Sequence, residues 1–154
     1  MKNPEDSQPA PSTPSGPTGL QILQAMQTGR IPPSGIAATM PMRLITVEQG
    51  HIAMEVSPDA RHLNPAGAVH GGFAATCLDG AAALALLSAL GAGAQYSTVD
   101  LNVKYVRPLA EGLTYVATGR LVEQTRSLGI CSAEIRGVDG KLHAMASATL
   151  MVKA

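Results

Sequence analysis

A chain of 154 residues with eleven basic and eleven acidic side chains carries no formal net charge, so nothing in it favours nucleic acid or an acidic membrane surface as a partner. With no Trp, one Phe and three Tyr, it lacks the aromatic platforms on which bases stack. The two cysteines, Cys77 and Cys131, give neither a disulfide framework nor a close metal-ligand spacing, which fits a reducing cytoplasm.

In chain order, Met1 to Gly19 holds five prolines among Ser, Thr, Gln and Gly. It reads as a disordered tail, without the apolar run of a signal peptide, ahead of a single domain over 20–154. Leu20 to Gln27 has helical spacing and stops before Gly29, which predicts a short helix packed on the surface. Ile31 to Gly35 is a Pro/Gly turn. Strands are predicted over Met42 to Glu48 and His51 to Ser57 around the turn Gln49-Gly50, the second with Ile52, Met54 and Val56 inward. Pro58 to Gly67 is loop, and from Gly71 to Leu90 the chain is Ala/Leu-rich and apolar on every face. After a turn at Gly91 to Gly93, Thr98 to Tyr105 alternates Val99, Leu101, Val103 and Tyr105 on a core face against Thr98, Asp100, Asn102 and Lys104 on a polar one. Further strands follow at Leu113 to Thr125, Leu128 to Arg136 and, after the hairpin signal Asp139-Gly140, Leu142 to Val152. In the last, Ala144, Ala146 and Ala148 are small enough to let a helix lie close. One long apolar helix with five to six mostly antiparallel strands and no βαβ alternation predicts an α+β domain whose sheet wraps the helix.

The segment from Gly71 has nearly the length of a membrane span, but Asp79 would sit at mid-depth and no basic flank follows, so a buried helix is the better reading. Asp79 is its only charged side chain. An isolated carboxylate inside a fold is costly unless hydrogen-bonded or paired, and such groups concentrate at functional sites; a structural carboxylate capped by Thr76 is the plainer alternative. Gly71 and Gly72 open the helix, where backbone N–H groups lack intrahelical partners and favour negative charge, including that on a carbonyl oxygen under attack. A donor of that kind with a carboxylate base or nucleophile suggests acyl-group chemistry. Gly71 and Asp79 lie eight residues apart, about 12 Å along one helix, whereas a reacting carbon must lie roughly 3 Å from both the donor side and the attacking group. Two helices antiparallel across a two-fold axis would join Gly71 of one subunit to Asp79 of the other, which predicts a dimer with shared sites.

These residues resemble a known family. Asn64-Pro-Ala-Gly67-Ala-Val-His70-Gly71-Gly72, with Asp79 seven residues on, is similar to the hotdog-fold acyl-CoA thioesterases of the PaaI-like, phenylacetate-degradation type. The likeness extends to Pro32-Pro33-Ser34-Gly35-Ile36 and to Ser97-Thr98-Val-Asp100-Leu-Asn102-Val-Lys-Tyr105-Val-Arg107-Pro108, and covers roughly Leu20 to Val152. It implies a hotdog fold and hydrolysis of an acyl- or aryl-CoA thioester, with Asp79 as base or nucleophile and the Gly71 N–H on the carbonyl oxygen. Coenzyme A would then be part of the substrate and not a cofactor. The resemblance further implies that Asn64 contacts the carbonyl or positions water, that Thr98 helps hold that water, and that His70, beside Gly72, shapes the loop. Dimers of this family often pair into tetramers. Coenzyme A phosphates favour cations, for which Arg107 and Arg126 are the candidates. Ala83, one turn after Asp79, lacks a hydroxyl that some aromatic-CoA thioesterases carry there, and few aromatics are available to stack on an aryl group. His51, His62 and His143 are spaced like surface or strand residues and suggest no metal set. A hotdog hydratase or dehydratase and a non-catalytic acyl-CoA sensor are the alternative classes.

Overall fold

The computed structural model describes residues 15–33 and 35–153. A six-stranded antiparallel sheet is built from β1 (Met42–Glu48), β2 (His51–Val56), β3 (Gln95–Tyr105), β4 (Tyr115–Gln124), β5 (Leu128–Gly137) and β6 (Leu142–Lys153), in the spatial order β1-β2-β4-β5-β6-β3. Its concave face holds the long helix α3 (Gly71–Leu87), whose Cys77, Leu78, Ala81, Ala82, Ala85 and Leu86 are fully buried. This is the hotdog arrangement. A helix apolar on all sides needs a wall on more than one side, and the curved sheet provides it.

Packing distance is set by glycine. A Cβ on Gly119 of β4 would lie 2.0 Å from the Ala81 carbonyl oxygen, so helix backbone rests directly on strand backbone there. The expected small face of β6 is present, with Ala144, Ala146 and Ala148 all buried, but the closest approach is on β4. The helix also ends at Leu87, three residues earlier than expected. Ser88 caps it, accepting a 2.7 Å hydrogen bond from the Gly50 N–H at the β1–β2 turn and donating to the Ala85 carbonyl.

The amino-terminal helix α1 (Gly19–Gln27) starts one residue inside the stretch read as tail. Thr18 and Gln21 form a reciprocal capping box. Gly19 is buried, and a Cβ there would meet the Leu87 carbonyl oxygen at 1.8 Å, so this glycine seats α1 on the end of α3. Most of the expected tail, residues 1–14, lies outside the described residues. Beyond the Pro/Gly turn stands a four-residue helix, α2 (Ile36–Thr39), and a 3-10 turn (Ala60–His62) interrupts the loop before α3; neither was expected.

The consequential correction concerns β3. Strict alternation puts Thr98 on the polar face and Val99 and Tyr105 in the core. A register shift between Thr98 and Asp100 inserts one extra residue at Val99. Thr98 therefore shares the inner face with Leu101 and Val103, and Val99 is 57% exposed; Tyr105 keeps the alternation of Leu101 and Val103, opposite the buried Ala144, and is 59% exposed because it ends the strand.

Candidate active site

The start of α3 is held from three directions. His70 is its N-cap, Nδ1 accepting a 2.8 Å hydrogen bond from the Gly72 N–H, which leaves the ring proton on Nε2. The Tyr105 hydroxyl donates to the Gly71 carbonyl at 3.1 Å. Asn64 closes the preceding loop: its side-chain oxygen accepts from the Ala66 and Ala68 N–H groups at 2.9 and 3.1 Å, so only its amide NH2 is left for anything else. The Gly71 N–H donates to no other described residue, as expected of the first position of a helix. A cleft of about 350 Å³ opens here, lined by His70, Gly71, Tyr105, Arg107 and Pro108.

Asp79 stands two turns on. Thr98 donates its hydroxyl to Asp79 Oδ1 at 2.8 Å, and this bond exists because the Val99 bulge turns Thr98 inward. Thr76, the alternative partner, donates to the Gly72 carbonyl instead. Asp79 is half-buried, and its Oδ2 has no partner among the described residues. The carboxylate faces a second cavity of about 450 Å³, walled by Met26, Met42, Met54, Ala83, Leu84 and Tyr96 among others. Burial, and then the nearby Asp79 charge, push the Tyr96 phenol above its usual range, so it stays neutral.

One chain thus brings together His70, Gly71, Gly72 and Arg107 at the helix start, and Asp79 with Thr98 at a separate cavity. Arg107 donates to the Leu142 carbonyl, near the start of β6, whereas Arg126 precedes Leu128, which pairs with Met151 near the end of β6. The two arginines therefore lie at opposite ends of the sheet, roughly 30 Å apart along β6. His62 is not a surface residue: its side chain is 10% exposed, its ring packs edge-on to Phe73 at 4.8 Å and its Nδ1 accepts from the Asp59 N–H. Among the described residues no three His, Cys, Asp or Glu side chains converge as a metal site would require. Burial pushes the Cys77 thiol up to about 12 and Cys131 up to about 11, which removes both as nucleophiles at neutral pH. Sequence reasoning missed Tyr105 and Tyr96; two of three tyrosines in a chain poor in aromatics, on the strand that carries Thr98, were the available signal.

Three comparisons bear on this geometry. The model of the Thioesterase superfamily matches residues 66–144, just over half the chain. Acyl-coenzyme A thioesterase 13 of Homo sapiens is 31% identical over 100 residues, covering 64% of this chain and 71% of that protein. A phenylacetic acid degradation-related thioesterase structure from Ralstonia eutropha JMP134 superposes with a TM-score of 0.75 at 31% identity, covering 83% of this chain and 97% of that one. The E. coli PaaI protein shares the fold, with a TM-score of 0.76 at 22% identity over 88% of this chain and 94% of that one. No helix among the described residues is long and apolar enough to cross a membrane. A wrapped helix, an open N–H at its start and a half-buried carboxylate on a cavity are what the family likeness leads one to look for, and this chain belongs to the thioesterase superfamily as a PaaI-like hotdog thioester hydrolase.

Proposed function

We propose that this protein hydrolyses acyl-CoA thioesters at sites shared between two protomers. The observation that carries the reading is the Thr98–Asp79 hydrogen bond at the rim of a cavity, with the other carboxylate oxygen left unengaged. Asp79 either activates water or attacks the carbonyl to form an anhydride that water then opens. Thr98 fixes the carboxylate and the attacking water, and the partner's Gly71 N–H takes the developing oxyanion, with the Asn64 amide beside it.

Topology supports the shared site. β3 is an edge strand of eleven residues, and an uncovered edge of that length favours pairing with another strand. Antiparallel pairing of two β3 strands about a two-fold axis near Leu101 sets Tyr105 of one protomer opposite Thr98 of the other. Tyr105 holds Gly71 and Thr98 holds Asp79, so the donor of one protomer meets the carboxylate of the other, closing the gap of about 12 Å that one helix cannot. The same axis brings Arg107 of one chain toward the sheet end that carries the partner's Arg126, where the two could share the coenzyme A phosphates. A Streptococcus mutans protein of the same fold, 23% identical, has been solved with acetyl CoA, which agrees with a coenzyme A substrate. Association of two dimers remains part of this reading.

Asp79→Asn is expected to fold and dimerise yet lose at least about a hundredfold in kcat; near wild-type turnover would remove Asp79 from the chemistry. A single turnover in oxygen-18 water tests the anhydride route. Label found in the Asp79 carboxylate excludes pure base catalysis, because only an anhydride opened at the Asp79 carbonyl places it there.

A further inference from the structure

The cavity beside Asp79 is too large for the acyl groups that the phenylacetate relatives bring to mind. About 150 Å³ holds a benzene ring, so the 450 Å³ present here would be left roughly two-thirds empty by an aryl group. Voids of that size forfeit contacts along their whole lining. The wall is aliphatic: Met26 from α1, Ile36 from α2, Met42 from β1, Met54 from β2, and Ala83 and Leu84 from α3, with Tyr96 near Asp79 its only aromatic. Apart from Asp79 and Tyr96, its polar side chains are engaged within the protein, Arg43 with Glu55 at 3.0 Å and the Gln27 amide with the Ile45 carbonyl at 3.0 Å. Three methionines, unbranched and with three rotatable bonds each, form a lining that adapts to a flexible guest.

Resting on the thioesterase reading for the position of the reacting carbonyl, we infer that this cavity is the acyl pocket and that the substrate class is a flexible aliphatic thioester of about eight to sixteen carbons, at the roughly 25 Å³ per carbon that benzene implies. Ala83 is the residue that admits such a chain. It sits one turn from Asp79, and its methyl group leaves open the space that a larger side chain would fill. Met26 bounds the same space from α1.

The test is calorimetric binding of uncleavable S-alkyl-CoA thioethers, methyl to dodecyl, and S-benzyl-CoA to the full chain and to Ala83→Phe and Met26→Phe, each checked for a cooperative melt. In the wild type each added methylene is expected to tighten binding about fourfold until the pocket is full, so octyl exceeds methyl by on the order of ten-thousandfold. Benzyl binds more weakly than octyl. In at least one folded variant the gain stops at a shorter chain, and the octyl-to-methyl ratio falls at least about tenfold. A flat wild-type series, benzyl binding as tight as octyl, or a series unchanged in both variants would overturn the inference. If chain-length dependence is found but thioesters go uncleaved, the pocket stands and the hydrolytic reading falls. If Asp79→Asn abolishes hydrolysis while the series is flat, the reverse holds.

Discussion

His70 invites a role in acid-base chemistry, but its geometry argues otherwise. Its Nδ1 is committed to the Gly72 N–H, satisfying one of the open donors of α3 as a Ser or Asn would. His70→Ala should therefore destabilise the protein by about 1 kcal/mol in urea unfolding, and His70→Asn should recover most of that loss together with activity. If activity falls equally in both variants while stability is restored, the imidazole itself takes part in the reaction. The buried thiols make a different prediction. In the unfolded chain Cys77 ionises near its ordinary value of 9.0, whereas in the fold it stays protonated to about 12. Its contribution to stability is complete below about pH 9 and is lost as pH rises from there through 12, because only the unfolded state releases the proton in that window. Urea midpoints should fall above pH 9, and Cys77→Ala, though less stable at neutral pH, should show the shallower decline.

Among the elements, α3 and β4 are joined at Gly119. A methyl group there would meet backbone of Ala81 and not the end of a movable side chain, so relief requires the helix to lift from the sheet. Gly119→Ala is expected to destabilise by about 2–3 kcal/mol, read from the shift in urea midpoint at unchanged slope. A loss within a few tenths would mean that α3 has freedom to shift. β3 shows how one element can carry two demands. Its sequence, Gln95 to Tyr105, satisfies a strand pattern, yet the extra residue at Val99 divides it into two registers. Thr98 belongs to the segment that faces Asp79, and Tyr105 to the segment that reaches the start of α3.

For the molecule as a whole, the proposed site needs two chains, and that can be tested by complementation. Gly71 is the first residue of α3, where proline's missing N–H and fixed φ are tolerated, and His70 has the extended backbone that a following proline requires, at φ −64 and ψ 137. Gly71→Pro thus removes the proposed oxyanion donor with limited strain, the Tyr105 ring at 3.2 Å being the one neighbour that must give way. Homodimers of Gly71→Pro and of Asp79→Asn should each be nearly inactive. After unfolding and refolding an equal mixture, half the dimers are mixed and one of their two sites is intact, so about a quarter of wild-type activity should return. No recovery in a mixture shown to contain mixed dimers would place donor and carboxylate in a single chain.

Much was legible from one dimension because it rests on local or periodic chemistry. The long apolar helix with its single acid, the strands from Met42 onward, the Gly50 and Gly140 turns, and the Asn64 to Asp79 run all follow from residue type and spacing, and spacing alone showed that Gly71 and Asp79 cannot meet within one helix. What folding decided depends on contacts between segments far apart in sequence. The Val99 bulge sets Thr98 against a carboxylate nineteen residues away, Gly19 and Gly119 set how closely α1 and β4 approach α3, and segments from Met26 to Tyr96 meet around one cavity. Alternation of side chains assumes an unbroken register, and a single inserted residue reverses it; that reversal is invisible until the partner strand is in place.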